Sequence, residues 1–234
     1  MAPEQMVFQR ARRPEHKQQR YDAILAAARA LALQNSVRDV SLADIAAEVG
    51  MHKSALLRYF TTRDEIYLHL AARDWQDWAE AIARALADAP AGSTADVAAA
   101  FTRTLADRPL LCDLLAHVPL NLERNVPIES ARVYKLAVLS AADRILTHVH
   151  RVLPDLADAD LWDLIAAVTS VAAGLHQVVH PPPTLAALYR EDPQLGHADV
   201  EFAASLQRIT EVILLGFEHR DAQRAPLRRV DPEP

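Results

Sequence analysis

Cysteine is nearly absent from this chain. The single thiol, Cys112, cannot close an internal disulfide, which fits a reducing compartment and gives a cytoplasmic expectation. Glycine is scarce as well, five in 234 residues, and no glycine-rich phosphate loop can be found. There is no GxSxG, no HExxH and no cysteine pair, so the familiar hydrolase and zinc signatures are missing. No run of roughly 18 apolar residues offers a membrane span, so no membrane partner is expected. The opening MAPEQMVFQRARR lacks the apolar core of a secretion signal. Runs of β-branched residues are short, which with abundant alanine favours helix over strand.

What is present is hydrophobic and unevenly charged. Half the chain, 51%, is hydrophobic, enough to bury a core. Residues 1–63 hold ten Lys and Arg against six Asp and Glu, a net +4, whereas residues 64–234 hold fifteen against twenty-five, a net −10. A basic head suits phosphate contacts, and an acidic body keeps the rest off a polyanion.

The stretch Ser41–Thr61, SLADIAAEVGMHKSALLRYFT, reads as a helix-turn-helix. Ser41 and Asp44 have capping-box spacing. Leu42, Ile45, Ala46 and Val49 make one apolar face, and Gly50 stands where the chain must turn sharply. A second helix follows from Met51 or His52. Met51, Ala55, Leu56, Tyr59 and Phe60 back it, while His52, Lys53, Ser54, Leu57 and Arg58 face outward. Before it, Pro14 can open a helix with Tyr21, Ile24, Leu25, Ala28, Leu31 and Ala32 on its packing face and Lys17 and Arg20 near its start.

Further helices follow from caps and prolines. They are expected from the Thr62/Glu65 box to about Ala89, from the Ser93/Asp96 box to Asp107, and from Leu110 to Val118, with Pro119 as the stop. Others are expected from Pro127 to Leu153, from Asp158 or Asp160 to His180, in a short piece at Thr184–Tyr189, and from His197 to Arg220. The helix ending at His180 is uncharged from Leu164 on, and the last contains Val212-Ile213-Leu214-Leu215-Gly216-Phe217. A helix apolar all round must be covered all round, so a subunit interface is expected there, involving Leu164, Val168, Leu175, Leu206, Ile213, Leu214 and Phe217.

Ile45-Ala46-xx-Val49-Gly50, Lys53-Ser54-Ala55-Leu56, Arg58-Tyr59-Phe60 and Thr62-Arg63-x-Glu65-Ile66 together resemble the N-terminal domain of tetracycline-repressor-type (TetR/AcrR) regulators over Tyr21–Tyr67. The chain departs from the family at Ser54-Ala55, where glycine-threonine is frequent, at Leu57, where an aromatic is frequent, and at Arg63, where lysine is usual. The resemblance implies an all-α fold: an N-terminal three-helix helix-turn-helix domain plus a C-terminal helical ligand-binding and dimerisation domain. The expected layout is a flexible basic arm over 1–13, with Arg10, Arg12 and Arg13 near its end, the DNA-binding domain over 14–62, the helical domain over 63–221, and a disordered tail over 222–234.

The same resemblance implies a ligand-responsive regulator, most simply a repressor. It would bind double-stranded operator DNA as a homodimer through its last two long helices and be released by a small apolar or aromatic effector. DNA contacts are expected from Lys17, Ser41, His52, Lys53, Ser54, Leu57, Arg58, Tyr59, Thr62 and Arg63. The effector candidates are Trp75, Trp78, Phe101, Cys112, His117, Asn121, Arg124, Tyr134, Trp162 and His176. No cofactor, catalytic residue or metal ligand is expected. His148 and His150 diverge on a helix, and His176 and His180 share a face but have no third ligand. Asp155, Asp158 and Asp160 are explained by a helix start. The rival reading is a helical enzyme or metal-binding protein whose helix-turn-helix is only structural. A further one is an activator or a nucleoid-type binder without a ligand.

Overall fold

The structure is a computed structural model. It describes the backbone of residues 4–196 and 200–224 and side chains of residues 15–196 and 200–220. Among these residues there is no strand. The helices are α1 (Glu4–Asp39), α2 (Leu42–Glu48), α3 (Lys53–Leu56), α4 (Arg63–Ala85), α5 (Thr94–Ala106), α6 (Pro109–His117), α7 (Ile128–Val152), α8 (Asp158–Val179), α9 (Pro183–Glu191) and α10 (Phe202–Arg224). A π-helical turn, Val118–Leu122, follows α6, and a 3-10 turn, Pro193–Leu195, follows α9.

Several boundaries correct the sequence expectations. Backbone of the arm expected over 1–13 is helical from Glu4, so Pro14 lies inside α1 and does not open it; the side chains of Arg10, Arg12 and Arg13 lie outside the described residues. Pro119 does not stop its helix. The chain continues through it as a wider turn to Leu122, which a proline early in a new turn permits because no amide is needed there. α8 begins after Ala157 without a side-chain cap. His197, the expected start of the last helix, and 225–234 of the expected tail lie outside the described residues.

Two compact units emerge: Met1–Gln76 with Pro109–Leu139, and Asp77–Arg108 with Ser140–Pro234. The first holds the expected 14–62 head and also α6, the π turn and the beginning of α7. Its core contains Ile24, Leu25, Ala28, Ile45, Leu56, Phe60, Ile66 and Tyr67, all buried. Tyr21 stacks on Phe60 with ring centroids 4.8 Å apart, and His69 of α4 meets both edge-on. Ion pairs Arg29–Asp74 and Arg73–Asp22 tie α4 to α1.

In the second unit, α10 packs against α5 and α8. Trp78 is buried, meets Phe101 edge-on at 5.9 Å, and donates its indole N–H to Thr104 Oγ1 at 2.9 Å. Arg151 donates to the Leu86 and Ala89 carbonyls just beyond the end of α4. Arg220 of α10 pairs with the buried Asp160 of α8. α8 is long and apolar enough to cross a membrane by length and composition alone. Leu161, Leu164, Ile165, Val168, Ala172 and Ala173 of that helix are buried in protein.

Candidate nucleic-acid interface

The head is assembled from local signals. Ser41 Oγ accepts the Asp44 amide at 3.2 Å while Asp44 returns a carboxylate oxygen to the Ser41 amide at 2.8 Å, the capping box expected. The Ser41 hydroxyl holds the Asp44 carboxyl below its usual range, with the Ser41 amide adding to the effect. Ile45 and Ala46 are buried beneath α2. Gly50 has φ 62°, the left-handed conformation that a sharp turn between the two helices requires.

The second helix is shorter than its apolar pattern implied. α3 covers Lys53–Leu56, and Leu57–Tyr59 form a tightened end in which the amides of Arg58 and Tyr59 reach back three residues to Ala55 and Leu56. The faces are those expected. Leu56 and Phe60 are buried, Met51, Ala55 and Tyr59 are half-buried, and His52, Lys53, Ser54, Leu57 and Arg58 are exposed. Two cations, an imidazole, a hydroxyl and an isobutyl group thus project from a helix backed by core. Such a surface can reach phosphates and base edges in a major groove. Lys17 is exposed on α1.

Three of the expected DNA contacts are engaged within the head. Ser41 is exposed, yet its hydroxyl is the α2 cap. Thr62 Oγ1 accepts the Glu65 amide at 3.1 Å. Arg63 departs most from expectation: its guanidinium donates to the Val37 carbonyl and lies 5.1 Å over the Tyr67 ring, so it holds α4 to the end of α1.

Two acidic residues stabilise this arrangement: Glu65, expected only as the capping partner of Thr62, and Asp113, which sequence reasoning passed over. Glu65, 8% exposed, accepts the Thr61 amide at 2.5 Å and the Thr61 hydroxyl at 2.8 Å on one oxygen, and the Ser130 hydroxyl at 2.6 Å on the other. Burial alone would raise its pKa; the Ser130 and Thr61 donors outweigh that and hold it below its usual range. Asp113, 3% exposed on α6, accepts the Val37 amide at 2.7 Å and the Ser36 hydroxyl at 2.9 Å. Its sequence signal was an acid inside the otherwise apolar run Leu110–Leu114, which a buried helix tolerates only with partners.

Residues 24–70 match the family described as bacterial regulatory proteins, tetR family, and residues 72–221 match the tetracyclin repressor-like C-terminal domain. The chain belongs to the TetR family. It is a transcriptional regulator with a DNA-binding helix-turn-helix and a C-terminal ligand-binding domain.

Solved structures share the fold. A FadR from Thermus thermophilus, described as a TetR-family transcriptional repressor in complex with lauroyl-CoA, is 17% identical with TM-score 0.52, covering 92% of this chain and 98% of its own. The fatty acid degradation regulator FadR from Bacillus halodurans is 12% identical with TM-score 0.52, covering 84% and 95%. A TetR-family regulator from Mesorhizobium loti is 16% identical with TM-score 0.50, covering 87% and 97%. No curated protein matches the chain.

The ten effector candidates of this TetR-family chain are divided between the two units. Trp75, Cys112, His117, Asn121, Arg124 and Tyr134 fall in the first unit, and Trp78, Phe101, Trp162 and His176 in the second. Trp75 and Tyr134 are both buried, while Asn121 and Arg124 are exposed. Burial pushes the Cys112 thiol up to about 12, so it is an inert core group. His176 is half-buried, its ring 4.3 Å from that of His180. Trp162, 44% exposed, borders a cleft of about 320 Å³ floored by Leu146 and Leu161, with Asp143, Thr147, His150 and Asp158 on its rim.

Four of the seven expected interface residues are taken up by the chain's own core. Leu164, Val168, Leu206 and Leu214 are fully buried within the chain, and Leu175, Ile213 and Phe217 are half-buried. The side of α8 left open carries Trp162, Ala166, Ser170 and Gly174 at four-residue spacing, and that of α10 carries Arg208, Val212, Leu215 and Gly216. Val212 and Leu215 are 64% and 56% exposed. Hydrophobicity alone did not separate the inner faces of these two helices from their outer ones; packing does.

Proposed function

We propose that this regulator is a repressor that binds a two-fold-symmetric operator as a homodimer and leaves it when a small hydrophobic molecule binds. The observation that carries the reading is the outward face of α3, with His52, Lys53, Ser54, Leu57 and Arg58 projecting from a helix whose other side is core. Lys53 and Arg58 supply the cations, to base edges or phosphates; His52, Ser54, Leu57 and the half-buried Tyr59 shape the contact. Lys17 is a further phosphate contact from α1.

Dimerisation is supported by the open faces of α8 and α10. Small residues on α8 allow close backbone approach, and the exposed Val212 and Leu215 need covering. A second copy presenting the same faces would form a closed two-fold bundle and set two heads about 34–36 Å or more apart. The effector's apolar character is supported by the make-up of α6, where Leu110, Leu111, Cys112 and Leu114 are all buried. A neighbour of the same fold holds lauroyl-CoA, whose acyl chain is of that chemical class. The effector acts by preferring the dimer geometry whose heads do not match the operator.

Selection of binding sites from random duplex DNA tests the reading. The expected result is an inverted repeat bound with a steep salt dependence. Recovery of no common sequence would remove the sequence-specific operator.

A further inference from the structure

Ser36 is the only non-glycine residue with positive φ among the described residues, at φ 70° and ψ 151°. That conformation is essentially glycine's alone. A serine stays there only if its surroundings hold it. Here they do so from two directions. Asp113 Oδ2, from α6, accepts the Ser36 hydroxyl at 2.9 Å and the Val37 amide at 2.7 Å. Arg63, from α4, donates to the Val37 carbonyl. One peptide segment is therefore gripped at its N–H by a buried carboxylate and at its C=O by a guanidinium. His117 Nδ1 lies 3.3 Å from Asp113 Oδ1, so the second carboxylate oxygen is also occupied.

Position gives this grip its consequence. Val37 and Val40 are buried, and Ser41 immediately caps α2. The path from Ser36 to Ser41 thus sets how α2, and α3 behind it, emerge from the end of α1. The carboxylate that fixes that path belongs to the matched C-terminal domain, residues 72–221, while the turn it fixes belongs to the DNA-binding half. A glycine at 36 would adopt the turn unaided, and a leucine at 113 would fill the same core. The pair Ser36 and Asp113 instead makes the turn conditional on where α6 lies.

We propose that Asp113 is a positioning residue for DNA recognition: it latches the Ser36 turn in its strained form and so holds the helix-turn-helix in its DNA-reading geometry. This rests on the operator-binding reading above. The latch contributes no contact to DNA and acts through Val37 and the start of α2.

The test uses the full chain and the duplex recovered by site selection, with Asp113→Asn, Ser36→Gly and the double variant. In Asp113→Asn the oxygen on which both donors converge loses its charge, and the amide nitrogen that replaces the other oxygen no longer accepts from His117. Operator affinity should therefore fall about tenfold at fixed salt, with faster amide exchange at Val37 and Arg38 than elsewhere in α1. Ser36→Gly removes the strain, so the double variant should regain at least threefold of that loss, which a simple loss of core packing at 113 would not permit. Wild-type affinity in Asp113→Asn, or no recovery in the double variant, overturns the proposal. Should Asp113→Asn fail to fold, Ser36→Gly alone decides: affinity equal to or tighter than wild type supports the latch, and a loss contradicts it. If the wild-type chain binds no duplex, the operator reading fails by itself. The latch is then judged on Val37 exchange, faster in Asp113→Asn and slowed again by Ser36→Gly if it exists, unchanged if it does not.

Discussion

Ser130 at the start of α7 donates its hydroxyl to Glu65 Oε1 at 2.6 Å, and the other oxygen of that carboxylate closes the end of the helix-turn-helix at Thr61. A residue early in α7 thus touches the hinge between α3 and α4 through one buried acid. Removing that acid strands the Thr61 amide and the Ser130 hydroxyl together. Glu65→Ala should lower stability by about 1–3 kcal/mol, and Ser130→Ala by about 1 kcal/mol, read from urea midpoints. Equal midpoints for all three proteins would mean water replaces the carboxylate without loss.

Lys53 and Arg63 separate two roles that their charges alone do not. Lys53 is exposed on α3, whereas Arg63 is bound to Val37 and Tyr67. Lys53→Ala should weaken operator binding and, if its contact is to a phosphate, reduce the log–log salt slope by about one. Arg63→Ala should leave the slope unchanged and lower thermal stability instead. A slope reduced by Arg63→Ala would return that residue to the DNA surface.

The two neighbouring leucines of α10 make a matched pair. Leu214 is fully buried and Leu215 is exposed. Leu215→Asp should give folded monomers in sedimentation, because it charges only the open face. Leu214→Asp should compromise the protomer fold, since an unpaired carboxylate enters the core. A folded Leu215→Asp that remained dimeric would move the interface elsewhere.

His117 carries a pH dependence of definite sign. Its hydrogen bond to Asp113 raises its pKa above the usual histidine value, against burial and the nearby Arg63, which lower it. The stabilisation is therefore fully present below the unfolded value of about 6.5 and is lost as pH rises through the higher folded value. Relative to His117→Asn, the wild-type chain should lose stability as pH rises above about 6.5, measured by denaturant titration. A flat difference would show that the imidazole stays neutral beside Asp113.

The head was legible because its signals are local. Ser41/Asp44, Gly50 and the apolar spacing of Ile45, Ala46, Leu56 and Phe60 each act within a few residues, and each recurs in the structure. The Ser36 turn was not legible, since it is stabilised by a carboxylate 77 residues away in sequence. Pro119 misled for a related reason: proline forbids an amide donor, but a wider turn does not need one there. On α8 and α10, composition marked both helices as apolar without telling which side this chain covers. The effector candidates were chosen by residue type, and packing distributes them between two units.

Operator binding by the exposed face of α3 is the central claim, and a footprint on the DNA flanking the protein's own gene, at one stated salt concentration, tests it most directly. A protected two-fold-symmetric site that disappears with Lys53→Ala and Arg58→Ala together is the expected result. Uniform weak protection that vanishes with modest salt, unchanged by those substitutions, would contradict it.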